Sequence, residues 1–95
     1  MFNISLENGE EILLSGSFNA AETEKADQLL NKINNNCILN FKDLVYISSA
    51  GLGSILNLHV RLKNSGHSIK LTNLNKHIRE VFKYSGLDKV LPIVE

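Results

Sequence analysis

The strongest constraint on the fold is a junction between a strand-like and a helix-like segment in the middle of the chain. Residues 44–47 form an apolar, β-prone run that stops at Ser48 and Ser49. Directly after the two serines, apolar residues recur at helical spacing as far as Leu62. A strand that passes at once into an amphipathic helix is typical of α/β folds, in which helices cover a sheet.

The position of the two serines favours a regulatory role for a hydroxyl group. Either Ser48 or Ser49 can act as the N-cap of the following helix. Free backbone N–H groups and the positive end of the helix dipole stabilise an anion at such a position. We therefore expect the junction to tolerate a phosphate on a serine.

The first half of the chain predicts a hairpin and one helix. Apolar and polar residues alternate at positions 2–6, and an Asn8-Gly9 turn signal separates this run from a second strand-like segment at 10–16. A helix over residues 20–33 follows, with Asn19 as its cap and Glu22 as the capping-box partner. Its inner face is predicted to carry four apolar residues, which are Ala26, Leu29, Leu30 and Ile33.

The second half predicts a central strand, two helices and a short last segment. The central strand begins at Cys37 and is expected to be interrupted at residues 42–43. The helix after the serines carries a wide apolar stripe of Leu52, Ile55, Leu56, Leu58, Val60 and Leu62, and Gly66 stops it. A strand at 68–72, a third helix capped by Asn73 or Asn75 and a terminal segment at 90–93 complete the order, with Ile78, Val81 and Phe82 on the inner face of the third helix.

These elements predict one α/β domain over residues 1–95. We expect a mixed sheet of four to five strands, opened by a β-hairpin, with about three packed helices. Pro92 argues against a central position for the last segment, because proline cannot donate to a sheet ladder.

Composition excludes several classes of function. Ten basic residues balance ten acidic ones without forming a block, so we expect no nucleic-acid partner and no membrane partner. No apolar run approaches the roughly 20 residues that span a bilayer, and we expect a cytoplasmic protein. Cys37 is the only cysteine, which excludes a disulfide within the chain and a metal site built from several thiolates. No cofactor is predicted, and the oligomeric state is left open.

Three segments resemble the STAS domain family, in particular the small bacterial anti-sigma factor antagonists. Residues 14–19 resemble the family's early strand-to-helix signature, residues 41–53 its central motif, and residues 81–87 its last helix and turn. The resemblance runs nearly from end to end of the chain. Ser49 aligns with the serine that family members present to an anti-sigma factor kinase.

The resemblance implies partner switching. The unphosphorylated protein would bind an anti-sigma factor serine kinase and free a sigma factor, phosphorylation of Ser49 by that kinase would release it, and a serine phosphatase would reset the cycle. Ser48 is the second candidate for phosphorylation. The predicted partner surface comprises Asn19, Ala20, Ser48, Ser49, Ala50, Gly51, Leu52 and Gly53.

The chain departs from the family pattern at three positions, and one alternative follows. Ser48 stands where the family often has an aspartate, Ala50 where it has a serine or threonine, and Asn19 where many members have an aspartate. The aspartate missing at Ser48 favours an alternative in which the domain is an interaction or scaffold subunit of a signalling or transport assembly, without phosphorylation.

An enzymatic hypothesis is weaker. It would make Ser49 a hydrolase nucleophile with His59, His67 or His77 as base. The chain lacks a Gly-x-Ser-x-Gly sequence, and no spacing brings a histidine to Ser49. We expect a protein that is not an enzyme.

Overall fold

A computed structural model describes residues 1–8 and 10–94, of which residues 7 and 8 are described by their backbone only. Five strands form one sheet: β1 (Phe2–Asn8), β2 (Glu11–Phe18), β3 (Cys37–Ile47), β4 (Ile69–Thr72) and β5 (Ile93–Val94). Three α-helices are present: α1 (Thr23–Leu30), α2 (Ser49–Asn64) and α3 (Lys76–Tyr84). Two short 3-10 helices, Ala20–Glu22 and Leu87–Lys89, precede α1 and follow α3.

The strands lie in the order in which they occur in the chain, β1-β2-β3-β4-β5. β1 pairs antiparallel with β2, and the other three pairings are parallel. The predicted mixed sheet, opened by a hairpin and centred on the strand that begins at Cys37, is confirmed. Gly9 of the predicted Asn8-Gly9 turn lies outside the described residues.

The helices cover one face of the sheet, because right-handed connections between parallel strands in chain order place them all on the same side. Buried residues of this face include Leu14, Leu39 and Leu71, one from each of three adjacent strands. Phe41 meets Phe82 of α3 edge to face, with ring centroids 5.9 Å apart. On the other face, side chains such as Ile38 are only half buried and Lys70 is exposed.

The predicted interruption of the central strand at residues 42–43 is wrong, since β3 continues without a break from Cys37 to Ile47. Its pairing with β2 shifts register twice, and each shift places one extra residue on β3. Two such bulges turn pairs of residues outward, Lys42 with Asp43 and Val45 with Tyr46. The polar pair therefore marks a bulge within the strand.

The first helix is shorter than predicted. Residues 20–22 form a 3-10 helix, and α1 ends at Leu30. Arg61 of α2 donates to the Leu30 carbonyl at 2.8 Å and to Oδ1 of Asn34 at 3.2 Å. A side chain of the neighbouring helix thus supplies a hydrogen-bond donor to the last carbonyl of α1. Ala26 and Leu30 are buried as expected, whereas Leu29 is exposed.

The other two helices follow the sequence closely. Four residues of the predicted apolar stripe of α2 are buried, namely Leu52, Ile55, Leu58 and Leu62, but Val60 of the same predicted stripe is exposed. Gly66 has a φ of +80°, as a glycine that ends a helix requires. Asn75 rather than Asn73 caps α3, since its Oδ1 accepts from the Ile78 N–H at 2.9 Å.

A buried amide that the sequence did not reveal ties three segments together. Asn40 of β3 is 6% exposed. It donates to the Glu11 carboxylate at 2.9 Å, and its Oδ1 accepts from the side chain of Asn73 and from the Lys42 N–H, each at 3.0 Å. These bonds satisfy the amide, as burial of a polar group demands.

Candidate functional site

The loops that follow β2 and β3 lie side by side at one edge of the sheet. Phe18 is paired with Ile47 at the ends of the two strands. The backbone N–H of Ser48 donates to the Phe18 carbonyl at 2.9 Å, which fixes the start of α2 against the end of β2. The structure thus brings the Asn19–Ala20 segment next to the serine junction, as expected for strands that run parallel.

Ser48 is the N-cap of α2. Its backbone is extended (φ −88°, ψ 169°), and its Oγ accepts from the Gly51 N–H at 3.1 Å. The Ser48 carbonyl accepts the first helical bond, from the Leu52 N–H at 2.9 Å. The hydroxyl oxygen of Ser48, which is half buried, therefore has a structural partner.

Ser49 is the first residue of α2, and its side chain is exposed. At this position the N–H groups of Ser49 and Ala50 have no acceptor within the helix, because the turn that would supply one does not exist. The first turn carries no acidic residue. An anionic group on Ser49 would thus meet free donors and the positive end of a 16-residue helix.

Asn19 caps the adjoining 3-10 helix. Its Oδ1 accepts from the Ala21 N–H at 3.1 Å, and both Asn19 and Ala20 are exposed. The predicted capping box with Glu22 does not form, because the Asn19 N–H donates instead to the Ser17 carbonyl at 3.0 Å. Asn19 therefore retains only half of its predicted capping role.

The remaining predicted partner residues divide between the surface and the interior. Ala50 is exposed and Gly53 is half buried, with nothing within 4 Å of where a Cβ on Gly53 would stand. Gly51 and Leu52 face the core. A Cβ on Gly51 would lie 3.0 Å from the Phe18 carbonyl oxygen and 3.0 Å from Cγ1 of Ile47, so this glycine serves the close approach of α2 to the sheet.

Two of the three histidines considered as catalytic bases lie at the other end of α2 from Ser49. His59 is ten residues further along α2 than Ser49, about 15 Å at the helical rise of about 1.5 Å per residue. His59 and His67 together line a groove at the far end of that helix, and His77 lies in the first turn of α3. Among residues 1–8 and 10–94, no group of three or more His, Cys, Asp or Glu side chains could hold a metal ion.

Cys37 is buried at the start of β3. Burial raises the pKa of its thiol to about 11, an effect that Glu10 reinforces and Arg61 opposes. The thiol is therefore protonated and unreactive at neutral pH, which fits a packing role.

No helix in the described part of the chain is long and apolar enough to cross a lipid bilayer.

Comparison with known proteins finds a family match over most of the chain. A profile of the STAS domain matches residues 10–95. The putative anti-sigma factor antagonist BtrV of Bordetella bronchiseptica is 33% identical over 84 residues, which are 84% of this chain and 72% of that protein. The anti-sigma-B factor antagonist of Bacillus subtilis is 35% identical over 52 residues, 55% of this chain and 48% of that one. The match therefore spans about half the length of the Bacillus relative.

The fold is also found in a solved structure. The Bacillus cell fate determinant SpoIIAA, solved in its phosphorylated form, superposes with a TM-score of 0.72 over 100% of this chain and 92% of that chain, at 20% identity. At this identity the similarity shows the fold.

Proposed function

The chain belongs to the STAS domain family, among its anti-sigma factor antagonists, and on this basis we propose that it acts by phosphorylation-controlled partner switching. In this proposal the unphosphorylated protein binds an anti-sigma factor that is a serine kinase and thereby frees a sigma factor. The kinase phosphorylates Ser49, which releases the antagonist, and a serine phosphatase restores the binding form. The protein acts in the cytoplasm and is itself a substrate, not an enzyme.

The observation that carries the proposal is the different environment of the two serines. Ser48 is held as a cap by the Gly51 N–H, whereas Ser49 is exposed at the start of α2. A kinase can reach Ser49 without unfolding the helix. The fold stays intact after modification, because the phosphate is added where the helix end favours negative charge.

Release follows from the cost of burying the new charge. The proposed contact surface comprises four exposed residues, Asn19, Ala20, Ser49 and Ala50, together with the half-buried Gly53. A phosphate carries roughly 1.5 to 2 negative charges at neutral pH, and in a desolvated contact it would cost about 3 to 5 kcal/mol. That penalty weakens binding by roughly 10² to 10⁴.

A second candidate function is a scaffold subunit that is never phosphorylated. The absence of any acidic residue in the first turn of α2, with Ser48 in place of the family's aspartate, favours it. In that case the surface around Ser49 would bind its partner in one state only.

A binding assay with charge variants separates the two. We would capture partners from the native host on the immobilised protein and identify the anti-sigma factor kinase by mass spectrometry. Its affinity would then be measured for the unmodified chain, for Ser49→Ala and for Ser49→Asp. Ser65→Asp is the matched control, because Ser65 is an exposed serine at the other end of α2.

Partner switching predicts that Ser49→Ala binds like the unmodified chain and that Ser49→Asp binds at least about tenfold more weakly, since one carboxylate imitates a phosphate only in part. Ser65→Asp should bind normally. Equal affinity of all four proteins, together with no phosphate transfer from ATP by the bound kinase, would contradict partner switching and support the scaffold function.

A further inference from the structure

A second surface feature lies at the opposite end of α2 from the serines. A groove of about 400 Å³ runs between the C-terminal half of α2, the start of β4 and the segment before β5. Ser49 and Lys63 are 14 residues apart on α2, about 21 Å at the helical rise of about 1.5 Å per residue. The groove is therefore separate from the proposed switch.

Two lysines place positive charge on the groove, although the formal net charge of the chain is zero. Two lysines and two histidines line it, namely Lys63, Lys89, His59 and His67. No carboxylate is among the described residues that line it. Asp88, the neighbour of Lys89, lines a different depression with Arg79 and Lys83, and Glu10 lines a cavity on the other side of His67.

The remainder of the wall is largely apolar. Ile69, Val90, Leu91 and Pro92 contribute to it, and Val90 is 53% exposed. An apolar wall with a few converging polar groups is the usual form of a small-molecule site. The wall could contact an apolar part of a ligand whose charged part meets the lysines.

His59 adds an unsatisfied polar atom at the same place. Its Nδ1 is buried and has no hydrogen-bond partner. Buried polar groups in folded proteins are nearly always paired, so an orphan of this kind needs an explanation. Nδ1 is closed to solvent in this orientation of the ring, so a ligand in the groove would meet other atoms of His59.

We propose that this groove binds a small organic phosphate, with the phosphate between Lys63 and Lys89 and an apolar body against Val90 and Pro92. A dianion matches two ammonium groups, and the histidines supply further donors. A monocarboxylate would leave one lysine without a counter-charge.

The test is a titration followed by the backbone amide resonances of the isotopically labelled full chain. Phenyl phosphate is the probe. Benzoate provides the same ring with a single charge, and inorganic phosphate provides the charge without the ring. We expect saturable shifts at residues 59, 63, 67–69 and 89–91, with affinity at least about tenfold higher for phenyl phosphate than for either comparison compound.

Two double variants complete the design. Lys63→Gln with Lys89→Gln should weaken phenyl phosphate binding by at least about tenfold. Lys25→Gln with Lys76→Gln removes the same charge from exposed lysines that do not line the groove, and it should change nothing. The dispersion of the spectra shows directly that each variant is folded.

The proposal is overturned by shifts that spread over all the lysines without saturating, or by equal loss of binding in both double variants. Equal affinity for phenyl phosphate and benzoate would exclude the dianion, and equal affinity for phenyl phosphate and inorganic phosphate would exclude the apolar contact. Neither result bears on Ser49, so the proposed partner switch would stand or fall separately.

Discussion

Adjacent serines at the start of α2 have different roles in this structure. Ser48 supplies a cap oxygen to the Gly51 N–H, and Ser49 projects from the first helical position. The sequence predicted a capped helix start but could not choose between the two residues, because both are serines and either spacing fits a cap. The choice depends on where β3 ends, which is fixed by the bond from the Ser48 N–H to the Phe18 carbonyl of another strand.

This division predicts different effects on stability. Ser48→Ala should lower the free energy of unfolding by about 1 kcal/mol, because the cap is lost. Ser48→Asp should retain most of the stability, since aspartate is an equally good cap. Ser49→Ala should change it by less than about 0.5 kcal/mol, as an exposed substitution does. Urea unfolding of the four proteins measures this, and a larger loss in Ser49→Ala than in Ser48→Ala would contradict the assignment.

Cys37 gives a prediction for alkaline pH. The pKa of its thiol is about 11 in the folded chain, above the ordinary value of 9.0. Between these values the folded state holds a proton that the unfolded state has lost, so stability falls as pH rises from about 9 to 11. Urea midpoints at pH 8 and pH 10.5 should differ more in the unmodified chain than in Cys37→Ala. An equal decrease in both would show that the buried thiol does not contribute.

At the scale of helices and strands, the sequence predicts an element correctly where residues close in the chain determine it, and incorrectly where a distant segment does. Periodicity and caps predict the strand-to-helix junction, the glycine that ends α2 and four of its buried residues, and the structure confirms these. Val60 of the same predicted stripe is exposed. The predicted end of α1 was wrong because it depends on a distant contact. Arg61 of α2 donates a hydrogen bond to the Leu30 carbonyl, and the two residues are 31 positions apart in the chain. The bulges of β3 were missed because they are defined by the register with β2, which no single segment contains.

The two glycines of α2 should respond in opposite directions to alanine. Gly51→Ala places a Cβ 3.0 Å from the Phe18 carbonyl oxygen, a backbone atom that cannot move aside alone, and should destabilise the fold by about 1 to 3 kcal/mol. Gly53→Ala meets open space and should stabilise the helix by about 0.5 to 1 kcal/mol. Thermal unfolding of the pair measures both. A stabilising Gly51→Ala would contradict the close packing of α2 on the sheet.

At the scale of the whole molecule, the two ends of the sheet carry different chemistry. The end at Phe18 and Ile47 presents the serine junction, and the opposite end presents the cationic groove. The first could be predicted, because the loops after parallel strands meet at one edge. The second could not, because Lys63 and Lys89 are 26 positions apart and come together only when the segment before β5 folds against α2.

The central claim is that Ser49 is the phosphorylated residue. The most direct test is phosphopeptide mapping, with intact mass, of this protein recovered from its native host across growth conditions, with Ser49→Ala as control. We predict a single phosphate on Ser49 that is absent from the variant. Phosphate on Ser48 instead, or none under any condition in which the partner is bound, would contradict the account.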